Sequence, residues 1–250
     1  MDQNKAAMLF PSNYPILCFD KEKKHFTTVE GKNFKSTACF LGVSNSNYHF
    51  KKQTNELVQV VFKPYGVFNI FAIPQQELAN SILNASDIFP QLVDPIARLE
   101  NNDKNSFQDI QHIENWLLKK LSTPKNSHSE QVIAACKKIE KSHGTIPIKS
   151  LYKMVGMSER SFRYHFTEQV GVNPKTFSRI ARFNAINTLL TTRKKVQDFQ
   201  DIICKFDFFD QTHFINECKW YYGHTPTCLQ NTHTKYLNLN ALFSSSAHNQ

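Results

Sequence analysis

The sequence predicts an α+β protein: a β-rich N-terminal domain with trailing helices, then an all-α domain of two helix-turn-helix motifs joined by one long helix. Three observations lead to this prediction. Apolar residues follow a strand-like pattern up to about residue 73 and a helical spacing after it. One segment of the chain is then repeated. The positive charge is concentrated in the half that holds this repeat.

The N-terminal half contains short apolar runs separated by polar or Gly/Pro breaks. These runs predict strands at residues 16–19, 37–41, 57–62 and 67–73. Helical spacing then predicts a short helix that includes Leu78, Ile82 and Leu83. Two further helices are predicted at residues 92–99 and 110–121.

A polar stretch that includes a proline follows at residues 122–129, and we place the domain boundary there. The predicted division is a β-rich domain at 1–122, a linker at 123–128, a helical domain at 129–232 and a tail at 233–250. The tail has no apolar periodicity, so we expect it to be disordered.

The repeated segment fixes the organisation of the helical domain. Phe166 and Cys218 are each followed five residues later by a glycine, at Gly171 and Gly223, which lie 52 residues apart. A proline follows three residues after each glycine. A turn and a short helical pattern precede each copy, which is the arrangement of two helix-turn-helix motifs in tandem.

The first unit has a turn at Gly156, a residue that can end a helix in the left-handed conformation. Ser158 is expected to cap the next helix, in which Phe162 and Phe166 share the core face. The opposite face is polar and cationic, as a helix in a DNA major groove requires, although one such helix alone fits an ordinary solvated face equally well. Its residues are Arg160, Ser161, Arg163 and Tyr164, with Thr167 at the flank.

The second unit has Asp207 at the turn, and aspartate also tolerates the left-handed conformation. Asp210 is expected to cap the helix that follows, with Phe214 and Cys218 facing the core. Asparagine and glutamine side chains suit adenine edges. The outward residues are Gln211, Thr212, His213, Asn216 and Lys219.

Two further helices complete the predicted domain. Ser129 is expected to cap a helix that runs to Ser142 and stops at Gly144. Asn173 followed by Pro174 marks the start of the long helix, which we expect to reach about Thr192.

The net charge of +9 is unevenly distributed. Residues 1–122 hold 13 Lys/Arg against 12 Asp/Glu, whereas residues 123–250 hold 17 against 9. A basic excess confined to one domain is typical of a surface that displaces counterions from nucleic-acid phosphates.

Other function classes lack support in the sequence. We find no phosphate-binding glycine loop, nucleophile elbow or paired-histidine zinc motif, so neither an enzyme nor a cofactor is expected. The first ten residues include four consecutive polar ones at positions 2–5, so no secretory signal is expected, and the longest apolar run, at residues 66–73, is too short for a membrane span. The six cysteines form no C-x-x-C pair, which favours buried thiols in a reducing cytoplasm. The alternative is a metal- or redox-responsive protein that uses His213, Cys218, His224, Cys228 and His233.

The segment D-Q-T-H-F at residues 210–214, followed by Gly223, Thr225 and Pro226, resembles the signature of the AraC/XylS transcription regulators. Gly156 and Ser158, followed by Phe166, Gly171 and Pro174, resemble it as well. The resemblance covers about 100 residues and implies sequence-specific regulation of transcription, in which each unit places a recognition helix in one of two successive major grooves. Double-stranded DNA and RNA polymerase are the implied partners.

The N-terminal half is more weakly similar to a domain of uncharacterised function found on some AraC-type regulators. The similarity rests on F-K-P-Y-G at residues 62–66, then Pro74, Leu78 and the helix after them. It implies a shortened sensor or dimerisation domain, with a small-molecule effector and a homodimer as further expected partners.

The residues expected to contact DNA fall into two groups. Those expected to contact bases are Arg160, Ser161, Arg163, Tyr164, Gln211, Thr212, His213 and Asn216. Those expected to contact phosphates are Lys149, Thr167 and Lys219.

Overall fold

The computed structural model describes residues 6–20, 27–28, 38–51, 57–90, 106–121, 128–192 and 199–226. In this part of the chain two antiparallel sheets with flanking helices are followed by six helices in succession. The α+β class predicted from the sequence is confirmed. No helix in the described ranges is both long enough and apolar enough to span a membrane.

Seven strands form the two sheets. A three-stranded sheet has the order β1-β5-β3 and a four-stranded sheet the order β6-β2-β4-β7. Their bounds are β1 Ala6–Leu9, β2 Ile16–Asp20, β3 Thr27–Thr28, β4 Ala38–Leu41, β5 Tyr48–Lys51, β6 Leu57–Val61 and β7 Ile82–Asn84. The strands predicted at 16–19, 37–41 and 57–62 correspond to β2, β4 and β6, whereas β1, β3 and β5 were not predicted.

The N-terminal helices cover one face of the four-stranded sheet. They are α1 (Gly66–Phe71), α2 (Ala85–Ile88) and α3 (Ser106–Leu121), with a 3-10 turn at Gln75–Glu77. Alternate residues of the central strands, such as Leu17 and Phe40, point to this face and join Phe89 and Trp116 in one apolar core. The helix predicted at 110–121 is therefore confirmed as part of α3.

Two sequence predictions in this half are wrong. The strand predicted at 67–73 is helix α1, in which Phe68 is buried and Phe71 packs on Phe89 and Trp116. A short apolar run fits a strand or a buried helix equally well, so its spacing could not decide between them. The short helix predicted from Leu78 to Leu83 is instead the end of the 3-10 turn followed by β7, because β4 offers it a pairing edge. The predicted helix at 92–99, the 123–128 linker and the 233–250 tail lie outside the described residues.

The second half contains the predicted helical series. Its members are α4 Ser129–Lys141, α5 Ile148–Met154, α6 Glu159–Val170, α7 Pro174–Thr192, α8 Phe199–Lys205 and α9 Gln211–Tyr222. The expected cap at Ser129 is wrong: His128 occupies the N-cap position without a side-chain bond, and Ser129 is buried in the first turn. The predicted caps at Asn173 and Gly144 are confirmed by bonds from Thr176 N to Asn173 Oδ1 (2.9 Å) and from Gly144 N to Ile139 O (2.9 Å).

The long helix α7 passes through two separate apolar cores. Phe177 and Ala181, near its start, lie in the first core with residues of α4, α5 and α6. Ile180, Phe183 and Ile186 lie in the second core with residues of α8 and α9. The two sets overlap along the helix but lie on different sides of it, so α7 separates the two cores.

In the described ranges the N-terminal region contributes one buried residue to each of these cores. Val43 is buried in the first core. Phe10 is buried in the second, with its ring centroid 5.6 Å from that of Tyr221 and 5.3 Å from that of Tyr222. The two halves of the chain are therefore packed together.

Candidate nucleic-acid interface

The first helix-turn-helix unit consists of α5 and α6. Gly156 has a φ of +68° at the turn, and a Cβ there would meet no atom within 4 Å, so backbone conformation rather than space favours glycine. The Ser158 side chain accepts from the Ser161 backbone N–H at 3.2 Å and caps α6. Phe162 and Phe166 are fully buried, which fixes the rotation of α6 about its own axis.

The outward face of α6 presents the predicted cationic residues. Arg160, Arg163 and Tyr164 are exposed, and Ser161 is half-buried beside them. The Arg163 guanidinium lies 2.8 Å from the Glu159 carboxylate, and both side chains are more than half exposed. Such a surface pair is weak, so the guanidinium can exchange it for an acceptor on DNA.

The second unit consists of α8 and α9. Asp207 has a φ of +55°, the left-handed conformation expected for the turn. The Asp210 side chain accepts from the His213 backbone N–H at 2.6 Å and caps α9, as predicted. Phe214 and Cys218 are buried, so the assignment of the core face is also confirmed.

The outward residues of α9 are neutral apart from Lys219. Gln211, Thr212 and Asn216 are exposed on one side of the helix. His213 is engaged within its own unit: its Nδ1 accepts from the Phe209 backbone N–H at 3.3 Å, and its Nε2 lies 3.8 Å from Glu217. Of the residues expected to contact phosphate, Lys149 and Lys219 are exposed and Thr167 is half-buried.

One ion pair that orients α9 was not predicted. Arg179 of α7 donates two hydrogen bonds to the Glu217 carboxylate, from Nε to Oε2 at 2.6 Å and from Nη2 to Oε1 at 2.8 Å. Its guanidinium also lies 3.6 Å from the centroid of the Trp220 ring. An acidic residue among the polar residues of α9 indicates that a cationic partner is needed, but the sequence does not indicate a partner 38 positions earlier.

Phe209 is a second residue that sequence reasoning missed. It immediately precedes the cap Asp210 and has 89% of its surface exposed, unlike its buried neighbour Phe208. An aromatic ring at this point of a recognition helix can contact a thymine methyl group. The sequence has three aromatic residues at this turn, Phe206, Phe208 and Phe209, and only the first two are buried in the core. This excess of aromatic residues was the feature that could have identified Phe209.

Both recognition helices contact the N-terminal region near their C-terminal ends. The buried Gln75 side chain donates to the Gln169 carbonyl of α6, and also to the Pro64 carbonyl at 2.6 Å. A Cβ at Gly171 would lie 3.0 Å from the Gln75 carbonyl oxygen, which shows how closely the two backbones approach. Phe10 packs on Tyr221 and Tyr222 at the end of α9.

The proposed metal-responsive alternative gains no support from the described residues, where no group of three potential ligands comes together. His213 lies at the flank of α9, whereas Cys218 is fully buried. Burial raises the pKa of the Cys218 thiol to about 12, which keeps it protonated and a poor ligand. Cys228 and His233 lie outside the described ranges.

Comparison with known proteins gives a family for this region. The family described as "Helix-turn-helix domain" matches residues 151–232, a range that includes α6, α7, α8 and α9. The chain is similar to two crystal structures of ToxT from Vibrio cholerae, each at 13% identity over 93% of this chain. The structure from strain O395 is covered over 91% with a TM-score of 0.42, and an apo variant from strain SCE256 over 90% with a TM-score of 0.43. No curated protein matches the chain.

Proposed function

We propose that the chain is a DNA-binding regulator of transcription, because residues 151–232 match the helix-turn-helix domain family, and that α6 and α9 enter two successive major grooves on one face of the duplex. Successive grooves on one face are about 34 Å apart. Residues of α7 pack in the core of each unit, so this one helix connects the two units.

The observation that carries the proposal is the fixed connection between the two units. Arg182 of α7 donates from Nη2 to the Gly144 carbonyl at 3.1 Å, beside the first unit. The same guanidinium lies 5.1 Å from the ring centroid of Phe208, in the second unit. Together with the Arg179–Glu217 pair, this side chain ties both units to one helix, so that they present their recognition helices as one body.

Insertion of base pairs between the half-sites tests this arrangement. Five inserted base pairs turn the second half-site to the opposite face of the duplex, so we expect the affinity to fall to that of one unit. Ten inserted base pairs return the second half-site to the original face of the duplex, but one full turn farther away. Two rigidly connected units should therefore be unable to contact both half-sites in this case as well. Unchanged affinity with five would mean that one unit alone contacts DNA, and recovery with ten would mean that the units move independently.

We propose unequal roles for the two units. Arg160, Arg163 and Tyr164 of α6 would contact bases beside Ser161, and the positive charge of the two arginines would also release counterions. Gln211, Thr212 and Asn216 of α9 would contact bases through neutral hydrogen bonds, with His213 at the flank. Lys149, Thr167 and Lys219 would contact phosphates.

We also propose that the N-terminal domain modulates DNA binding through the ends of the recognition helices. Gln75 donates a hydrogen bond to the C-terminal part of α6, and Phe10 packs on the end of α9. A shift of this domain would therefore change the orientation of the two helices relative to each other. Two polar contacts add to this docking: Tyr14 Oη donates to Glu140 Oε1 at 2.8 Å, and Asn13 Nδ2 to the Phe177 carbonyl at 3.0 Å.

A comparison of residues 125–250 with the full chain tests this modulation. We expect the fragment to bind a selected DNA site, but to tolerate a wider range of half-site spacings, since Gln75 and Phe10 are missing. Identical spacing preferences would contradict a role for the N-terminal domain. An effector at that domain, a homodimer and a contact with RNA polymerase remain predictions that follow from the resemblance.

A further inference from the structure

Two cysteines lie directly opposite each other in the centre of the four-stranded sheet. Cys18 of β2 and Cys39 of β4 are paired residues in the antiparallel register. Both are buried, and both belong to the small apolar cluster on the face of the sheet away from α1, α2 and α3. Their side chains therefore point to the same side.

The strand geometry brings the two thiols within reach of a covalent bond. Directly opposed residues of an antiparallel pair have Cα atoms about 4.5 or 5.5 Å apart, depending on the type of pair. A disulfide spans Cα separations of about 4.4–6.8 Å, so either type fits. Closing this bond requires rotation of two side chains and no rearrangement of the sheet.

The surroundings favour one of the two sulfurs as the nucleophile. A hydrogen bond from the Cys39 thiol lowers the pKa of Cys18, and Gln59 Nε2 donates to Cys18 Sγ at 3.5 Å. The same bond, together with burial, raises the pKa of Cys39. With the Gln59 amide beside it, Cys18 is the more acidic sulfur of the pair, and Cys39 is the neighbour that can resolve an oxidised Cys18.

We propose that Cys18 and Cys39 form a reversible thiol–disulfide pair that responds to hydroperoxides. The Cys18 thiolate attacks the O–O bond of hydrogen peroxide, which gives a sulfenic acid and, after protonation of the leaving hydroxide, one water. The Cys39 sulfur then attacks the Cys18 sulfur, loses its proton and expels the second water. The two thiols lose two electrons and two protons in total, and the peroxide is reduced to water.

The other described cysteines lack this arrangement. Cys136 and Cys218 are buried in separate helical cores, without a cysteine in the same cluster. Burial raises the pKa of both thiols. Cys204 is exposed, and its oxidation would link two chains rather than two strands.

The position of the pair connects it to the DNA-binding half, a step that rests on the function proposed above. The chain just before β2 holds Asn13 and Tyr14, which bond to Phe177 and Glu140. The chain just after β4 holds Val43, which is buried in the core of the first unit. Because β2 and β4 are antiparallel, these segments leave the sheet at the same end, and a bond between the strands restrains both of them.

The test uses the full chain with Cys204→Ser and Cys228→Ser. These substitutions leave four thiols, at residues 18, 39, 136 and 218. After treatment with hydrogen peroxide, we expect a mass loss of 2 Da and a cross-linked peptide that joins residues 18 and 39. Dithiothreitol should reverse both. Cys18→Ser in the same background should lose the response, and Cys136→Ser should keep it. Four alkylatable thiols after treatment, or a bond between other cysteines, would overturn the proposed pair.

DNA binding by the same samples provides a separate measurement. We expect oxidation to change the affinity for a selected site at least threefold, with recovery on reduction. Bond formation without a change in affinity would overturn the connection to the DNA-binding half. A reduced chain that binds no DNA would contradict the proposed function instead, while the mass measurement would still decide the disulfide.

Discussion

In the first helix-turn-helix unit the recognition helix carries two exposed arginines. In the second, Lys219 is the one outward cation and the acidic Glu217 is bonded to a neighbouring helix. The cores differ as well. The second is rich in aromatic rings, with Phe183 and Tyr221 stacked at 4.7 Å, while α4 supplies aliphatic residues to the first. The comparison supports our proposal that one unit supplies electrostatic affinity for DNA and the other a rigid set of hydrogen-bonding groups.

The largest effect should come from truncating the second core. Phe214 is buried against Phe208 and Phe199, so we expect Phe214→Ala to lower the free energy of unfolding by about 3–5 kcal/mol. Denaturant titration measures this loss, and DNA with one half-site randomised shows which unit still binds. We expect binding to the first half-site to survive.

The matched control is Phe209→Ala, which removes an exposed ring from the same segment. It should change the stability by less than about 0.5 kcal/mol. If Phe214→Ala weakens both half-sites equally, the two units do not act separately and the comparison fails.

The next effect concerns the arginines. Arg160→Ala should cost about 1–3 kcal/mol of binding if Arg160 contacts a guanine, with relaxed preference at that position. If it contacts a phosphate, all sequences should weaken alike and the salt slope should fall by about one unit. Asn216→Ala should cost less and leave the slope unchanged. Titrations across a salt series distinguish these results, and a larger loss from Asn216→Ala would make the second unit the principal base-contacting unit.

A smaller effect should follow from releasing Glu217. Arg179→Ala leaves this carboxylate without its guanidinium partner on a helix that we propose to face DNA, and we expect a loss of about 1–2 kcal/mol in DNA binding, moderated because the pair is partly exposed. The double variant Arg179→Ala, Glu217→Ala should recover most of the loss, since it removes the repelled charge. A double variant as weak as the single one would mean that Arg179 acts on DNA directly.

The smallest effect is a dependence on pH at the contact between the halves. Burial raises the pKa of Glu140 above its ordinary value of 4.5, so the folded chain holds a proton there more tightly than the unfolded chain. Its contribution to stability is present below that value and is lost as the pH rises through the raised pKa. The Glu140→Gln variant cannot titrate and keeps an acceptor for Tyr14. The free energy of unfolding of the variant, relative to that of the wild type, should therefore increase as the pH rises above 4.5. A difference between the two proteins that does not change with pH would contradict this assignment.

The helical half could be predicted closely because its signals are local. Gly156, Ser158 and Asp210 act within a few residues of their own positions, and the spacing of Phe162 and Phe166 alone gives the buried face. The N-terminal half depends on pairing between distant strands. The run at 67–73 became a helix and residues 82–84 a strand because of their tertiary neighbours, which no local pattern encodes.

The candidate site divides in the same way. The outward residues of α6 and α9 follow from helical periodicity, and their exposure agrees with the prediction. The Arg179–Glu217 pair and the contact of Gln75 with Gln169 join residues 38 and 94 positions apart. Contacts of this kind depend on the completed packing, so sequence spacing alone could not indicate them.

Phe10 in the second core has a consequence for how the chain is made. Its partners Tyr221 and Tyr222 follow it by about 200 residues. At a synthesis rate of about 5–20 residues per second, these partners are made roughly 10–40 seconds after Phe10. Throughout that interval a newly made N-terminal domain exposes an aromatic side chain that the finished protein buries. Premature termination before α9 would leave this ring exposed permanently, so incomplete chains should be favoured substrates for chaperones and proteases.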